Sequence, residues 1–559
     1  MANHIPVKRG GRTGYSTFGV MNPGKGLNNL ISDNLINDQE SSSLENIMFV
    51  ESGAPAKAYG FTNVGTGLSN APRGLGFFND AIAGTKTLYT VDGTVLKYLN
   101  GTVWTAVTGA TFDATAQINF TMSRGAIYVL DGVHSIAKVA TGGILTNNGH
   151  SPKAKFSIYY NGRHYASGVD GQPNRIYISK VLDASEFTTA VGTPEPFPDS
   201  GNDPDTGTPN VPGATAYSTD DYTEPLANAA LVDIGKLDGD KITGFGKFQD
   251  ALIVYKERSI YQLTLDSTGL PIISQITRNY GCISHRSIDS VENESFFLTR
   301  NGLYVLGNEP NYFNVIRTNE LSARIHPIIE TINPANFALT TALFNQYVYY
   351  LGIPSGGAAA NNTTLTYDRR FMAFSKLTHV QPEAFTIFTD TTNIDTVYFT
   401  SANSANVYKM TTSYDANGSA ISAQWTSKAY DLAKFSLYKR WIWVDILFRQ
   451  LVGTIQIDIY SDNGNLVKTT SISSSQTGGL GSNLMGGGDE LGSTVRANTT
   501  GTTQASTNIP YRVKLNIKSR TLKVKVSNAR INETFVVLGV NFAFRPYSSF
   551  IFPSSQRLN

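Results

Sequence analysis

Cysteine occurs once in the 559 residues, at Cys282, so no disulfide framework staples this chain, and a zinc ribbon or iron–sulfur cluster is excluded. Charged residues are also scarce, at 16%, against a typical ~25%. The net charge of +2 argues against a general electrostatic grip on nucleic acid. No run of 18 apolar residues exists, so no membrane-spanning helix is expected. The opening MANHIPVKRGGRTG has no apolar stretch, so secretion through a signal peptide is not expected either.

The chemistry-bearing motifs are equally sparse. Seven histidines, His4, His134, His150, His164, His285, His326 and His379, are scattered without metal-ligand spacing. Each reads as a structural or surface residue. Cys282 has His285 three residues on, a spacing from which a thiolate could be activated, but a buried free cysteine is the plainer reading. No GxxxxGK[ST] occurs, and the nearest glycine-rich phrase, Arg73-Gly-Leu-Gly76, has no helix after it. Ser413-Tyr-Asp415-Ala-Asn-Gly418 departs from the Asp-box of sialidases by a displaced glycine and a missing tryptophan, and reads as a turn. No catalytic residue, metal site or cofactor is expected.

What the chain does have is aromatic and turn-forming residues. Aromatics at 11% and a small net charge rule out a disordered chain. Tyr, Phe, Thr and Val suit a half-buried pleated surface. The middle of the chain repeats a short strand, a tight turn and a second strand. The first copy runs Thr87 to Trp104 through Asp92-Gly93 and Asn100-Gly101, the strongest short-range hairpin signals. Further copies cover Ala126–Val139, Phe156–Ser179, Ile242–Leu265, Ser287–Leu306, Ala342–Ser375 and Phe385–Met410. Seven units at a period near ~45 residues match propeller blades. A β-sandwich with many hairpins is the alternative.

Two features interrupt the repeats. Residues 188–228 hold seven prolines among Gly, Asp and Thr and read as a long projecting loop. Asn319 to Ile332 has the spacing of a short helix, kinked or delayed at Pro327. From about Gln424 the strands become longer and alternate more cleanly, as in an antiparallel sandwich. The expected fold is therefore all-β: an extended arm over 1–43, a β-propeller of about seven blades over 44–420, and a C-terminal antiparallel β-sandwich over 421–559 with a flexible loop at 472–508.

Local charge is uneven. Between Asp183 and Asp240 twelve acids face one base, Lys236. Asp199, Asp203, Asp205, Asp220, Asp221 and Glu224 form its centre and are a candidate channel or partner loop. Between Lys428 and Arg530 fourteen bases face six acids. Lys514 and Lys518 on one strand, and Lys523 and Lys525 on the next, are evenly spaced, so each pair shares a face. These four are a candidate basic contact face, although charge runs are most often simply solvated.

Several phrases carry a family resemblance. Asn22-Pro-Gly-Lys-Gly-Leu-Asn28, Glu40 to Phe61, Gly244 to Tyr261, Gly281 to Ile288 and Phe297 to Tyr304 resemble the opening and mid-propeller repeats of tail nozzle or tail hub proteins of short-tailed bacteriophages. The likeness covers about residues 20–412. It implies a structural virion protein without enzymatic activity. Such a protein forms a ring, commonly a homohexamer, with a tail adaptor and tail fibres as partners. Double-stranded DNA is retained by it and ejected through it without sequence recognition. An acidic wall suits that role, because it does not grip DNA. Another minor tail or fibre-connecting protein, and a propeller enzyme acting on glycans, are the alternatives.

Overall fold

The computed structural model describes residues 14–80, 84–123, 125–140, 145–147, 151–180, 184–185, 187, 230–235, 238–249, 251–265, 271–308, 316–389, 394–433, 435–474 and 509–546. The regular structure is almost entirely strand. It divides into two compact units, Thr62–Leu365 with Val380–Met410, and Met1–Phe61 with Thr366–His379 and Thr411–Asn559. The divisions near the termini thus fall at Phe61 and Thr411, where the sequence reading set them at 43 and 420. The acidic segment 188–228, with all six of its candidate residues, lies outside the described residues, as do 475–508 of the Gly/Ser/Thr stretch.

The first unit repeats one four-stranded antiparallel meander. The first copy consists of Leu75–Asp80, Thr85–Asp92, Val95–Asn100 and Val103–Ala106, paired in chain order. Equivalent sheets start at Asn119–Ser123, Phe156–Tyr160, Ile242–Phe248 and Asp289–Val291. A sixth begins with Thr341–Asn345, Val348–Ile353 and Thr363–Asp368. The leading strands lie beside one another in that order. Strand order equal to chain order, repeated around neighbours, is the arrangement of a β-propeller, here with six blades. A further ladder, Ala384–Thr389, Asp395–Thr400 and Val407–Met410, follows the sixth blade, and its leading strand lies against those of both the sixth and the first.

Burial explains the sequence texture. Second strands such as Ala126–Leu130 and Ala251–Lys256 are buried along their whole length, because a neighbouring blade covers each face. They therefore read as near-continuous apolar runs. Between the first and second blades, Phe78, Val91 and Leu96 pack with Ile118, Ile127 and Val139. Between the first blade and the Ala384 ladder, Leu75, Leu88 and Trp104 pack with Phe388, Tyr398 and Val407. The leading strands approach closely enough that a Cβ on Gly76 would stand 2.4 Å from the Phe120 ring.

The Asp-Gly turns do more than reverse the chain. Asp92 accepts the Ser69 and Asn70 amides at 3.0 and 2.6 Å, and Asp131 accepts the Asp113 amide at 2.9 Å. In each case the turn aspartate ties down the segment that enters its own blade. Other turns carry no such signal. Gln249, Glu292 and Gln346 occupy positive φ of 51°, 50° and 55°, a region where non-glycine residues are uncommon. The last two split the segments Ser287–Leu298 and Ala342–Leu351, which the sequence presents as unbroken, into hairpins.

The expected helix over 319–332 is shorter and later. Asn319 ends in the strand Ile316–Glu320, a 3-10 turn covers Ser322–Ile325, and the α-helical turn is His326–Ile329. Pro327 sits in its first turn, where a missing N–H costs no hydrogen bond, so it starts the helix instead of kinking it.

The second unit holds two sheets. One runs Ile47–Phe49, Pro55–Lys57, Thr534–Pro546, Lys439–Val452, Ile509–Ser519, with Ser16–Met21 also paired along Thr534–Pro546. That strand comes from the segment read as an extended arm. The other includes Ala373–Leu377, Ser41–Glu45, Ala423–Ser427, Lys523–Asn528, Thr454–Tyr460 and Leu466–Ser473, in that order. Alternate side chains such as Val524, Val526, Val513, Val444 and Ile446 are buried, as clean alternation predicts. Tyr430, Phe542 and Trp441 form a buried aromatic chain with centroids 4.9 and 5.7 Å apart.

Replacing Leu88, 1% exposed between the first blade and the Ala384 ladder, with Ala is expected to cost about 2–5 kcal/mol. Urea unfolding of the full chain measures it, and an unchanged midpoint would contradict that packing.

Candidate functional site

A polar cluster of the propeller lies at one mouth, where the chain enters its blades. Gly281 to Ile288 leads into the fifth blade and makes a short 3-10 turn, His285–Ser287. Arg286 leaves this turn and ends beside segments entering other blades. Its Nε donates to Asn119 Oδ1 at 3.1 Å, Nη1 to the Glu383 carbonyl at 3.0 Å, and Nη2 to the carbonyls of Arg73, at 2.8 Å, and Ile118. Those acceptors stand just before the first blade and the Ala384 ladder and at the start of the second blade. The fifth blade neighbours neither the first nor the second. The side chain therefore spans the propeller axis.

Other contacts cross the same mouth. Gln117, before the second blade, donates to the Ala338 carbonyl, before the sixth, at 3.0 Å. Ser284 donates to the Thr340 carbonyl at 2.8 Å. Arg73 is held in turn by the carbonyls of Gly93, Asp113 and Ala116.

The Arg286–Glu383 carboxylate contact is loose, at 3.7 Å, and both side chains are buried. Burial raises the Glu383 carboxyl and lowers the Arg286 guanidinium, outweighing their mutual attraction in both cases. What holds the cation is a set of aimed carbonyl oxygens, which satisfies four of the five N–H directions a guanidinium offers. Removing it would leave the buried Glu383 carboxylate with the more weakly acting Arg73 as its counter-charge.

The sequence candidates for reactivity resolve into structural roles. The Cys282 thiol donates to the Ser284 carbonyl at 3.1 Å, and burial pushes it up to about 11. His285 turns away to stack on Phe156 at 5.0 Å and accepts the Phe245 amide at 3.4 Å. Burial, then the neighbouring Arg286, bring it down to about 4. His164 sits in a complete chain of hydrogen bonds. Its Nδ1 donates to the Ala184 carbonyl at 3.1 Å, so Nε2 accepts the Ser157 hydroxyl at 2.7 Å, and Thr121 donates to Ser157 at 2.8 Å. Serine and histidine are 4% and 0% exposed. Burial holds His164 at about 4. Asp415, from the near Asp-box, accepts the Gly418 amide at 2.8 Å and closes a hairpin.

The four candidate lysines do not share one face. Lys514 and Lys518 lie on Ile509–Ser519, in one sheet of the second unit, and both are exposed. Lys523 and Lys525 lie on Lys523–Asn528, in the other sheet, half-buried. Lys523 pairs with Asp33 at 2.8 Å. The pairing within each strand was readable from even spacing, but membership of different sheets was not. Arg286 was missed too, because a lone arginine in a loop has no periodicity. Its one signal is its place in Gly281–Ile288, a phrase that carries the family resemblance.

No family model matches this chain, and no curated protein matches it. Solved structures similar to it include the computationally designed Ika8 protein, at 11% identity and TM-score 0.34, covering 63% of this chain and 99% of that one. BamB from Moraxella catarrhalis is similar at 12% identity and TM-score 0.34, covering 65% of this chain and 92% of that one.

Replacing Arg286 with Met is expected to cost about 3–5 kcal/mol, and adding Glu383→Gln to recover part of it. Chemical denaturation of both variants measures this, and a neutral single variant would contradict the seal. A second expectation concerns acid. His164, His285 and His379 are each held by burial at about 4 from an ordinary 6.5. The unfolded chain therefore binds more protons between these values, and stability falls as pH drops from 6.5 toward 4. Asp289, raised by burial to about 6, and Glu383, also raised by burial, oppose this with two groups against three. The melting temperature should fall across that window; a flat profile contradicts the assignment.

Proposed function

We propose that this chain is a structural protein of a bacteriophage tail, a nozzle or hub subunit located in the virion. In this reading it assembles as a homohexameric ring, contacts a tail adaptor and tail fibres, and surrounds passing double-stranded DNA that it does not read. The observation that carries the reading is the sealed propeller mouth. The Gly281–Ile288 phrase, one of those resembling tail nozzles, supplies Arg286, which lies across the axis. A propeller closed in this way is a solid building block. A conduit for DNA must then lie between copies of the chain, which is what a ring supplies.

Two finer assignments belong to the same proposal. The Ala384–Met410 ladder is taken as a seventh blade, since its leading strand lies between those of the sixth and the first. The two sheets of the second unit are taken as the C-terminal sandwich, joined by the N-terminal strand Ser16–Met21. The acidic residues Asp199, Asp203, Asp205, Asp220, Asp221 and Glu224 lie outside the described residues; in this reading their like charge suits a conduit because it does not grip DNA.

Negative-stain electron microscopy of the purified full chain tests the assembly. Six-fold rings with a pore wide enough for a DNA duplex are expected. Particles that remain single subunits as concentration rises would contradict the ring and favour a fibre-connecting role.

A further inference from the structure

Three polar side chains meet in the interior of the second unit. Lys57 ends the strand Pro55–Lys57 of one sheet, and Asn528 ends Lys523–Asn528 of the other. They stand 471 residues apart in sequence. Both are buried, at 2% and 4% exposure. Lys57 Nζ donates to Asn528 Oδ1 at 2.7 Å and to the Arg530 carbonyl at 2.7 Å. Asn528 Nδ2 donates to the Thr454 carbonyl at 2.7 Å and to Glu533 Oε2 at 2.8 Å. Asn528 Oδ1 also accepts the Arg530 amide at 3.3 Å. Donors face one end of the Asn528 side chain and acceptors the other, which fixes its orientation. Glu533 Oε2 is held in turn by the Thr454 amide at 2.8 Å.

An enclosed ammonium is costly, because burial strips its hydration. Burial brings Lys57 from the ordinary 10.5 down to about 8, with the charge of Glu533 acting against it. Neutral amine is therefore within reach near neutral pH. A neutral amine has two hydrogens, matched by the Asn528 and Arg530 oxygens, and one lone pair. The carbon of the Asn528 amide, Cγ, lies one C=O bond of ~1.2 Å beyond Oδ1, so Nζ stands within ~4 Å of it. Amine and amide carbon are thus held close to the separation from which bonds form, in a site that has already lost its translational freedom.

We propose that Lys57 and Asn528 join in the folded chain through an amide bond between their side chains, with Glu533 moving the proton. The Nζ lone pair forms a bond to Cγ, and the carbonyl electron pair moves to Oδ1, where the Arg530 amide faces the developing charge. Nζ and Nδ2 then share one carbon, so a carboxylate bonded to Nδ2 reaches both. Glu533 takes a proton from Nζ and gives it to Nδ2. The carbonyl re-forms, the Cγ–Nδ2 bond breaks and ammonia leaves. Glu533 ends as the carboxylate it began as, nothing is oxidised or reduced, and no co-reactant enters. Enclosure keeps out water, which would otherwise compete as the nucleophile. The product links the two sheets of this unit, and its formation does not depend on ring assembly.

Intact-mass spectrometry of the denatured full-length protein tests the link. The parent is expected to be lighter than its sequence by one ammonia, and its digest to contain one branched peptide carrying both Lys57 and Asn528. Lys57→Arg should restore the sequence mass. Glu533→Gln keeps an oxygen for Asn528 Nδ2 and for the Thr454 amide but cannot carry the proton. It should match the parent's circular dichroism and form the link about 100-fold more slowly after refolding. The parent's mass is read without any variant, so a variant that misfolds cannot mask the result. A parent at full sequence mass would overturn the proposal, the three side chains then being hydrogen-bonded only. So would an equal ammonia loss in Lys57→Arg, the mark of a succinimide at an Asn-Gly turn, or linkage at the parent's rate in Glu533→Gln.

Discussion

A four-stranded blade has two apolar faces and cannot cover either by itself. Most of what this chain does structurally follows from that shortage. Each blade in the Thr62–Leu365 and Val380–Met410 unit borrows cover from two neighbours, and the pattern ends only when the last ladder meets the first blade. Phe388, Tyr398 and Val407 make that meeting with Leu75, Leu88 and Trp104. Non-polar burial of this kind is non-directional. It explains why strands are packed side by side but does not set what lies at the centre. Directed bonds do that, above all the carbonyls aimed at Arg286.

How much of this was legible in the sequence depended on whether the signal was local. Asp92-Gly93, Asn100-Gly101, Asp131-Gly132 and Asn161-Gly162 announce their turns because their residues reach positive φ at low cost. Gln249, Glu292 and Gln346 reach it because the ladders on both sides hold them there, and nothing in their chemistry advertises it. The pairing of Ser16–Met21 with Thr534–Pro546 spans nearly the whole chain and left no pattern to read. The same limit separated Lys514 and Lys518 from Lys523 and Lys525. Spacing assigns a face within a strand, while sheet membership is a long-range choice.

Four buried polar groups share one logic. His164, Cys282, Lys256 and Arg286 are each enclosed and each find oxygen partners, among them the carbonyls of Ala184, Ser284, Ile234 and Glu383. An enclosed polar group without a partner costs free energy comparable to several packed methylenes. Such groups are therefore specific about their surroundings in a way that apolar side chains are not.

The central claim is that small sheets close side by side around an axis barred at one mouth by Arg286. A near-atomic density map of the purified chain tests it most directly. Continuous density from the His285–Ser287 turn across the axis to the Arg73, Ile118 and Glu383 carbonyls is the predicted result. An open tunnel at that mouth, or the same hairpins stacked in two opposed layers with no axis between them, would contradict it.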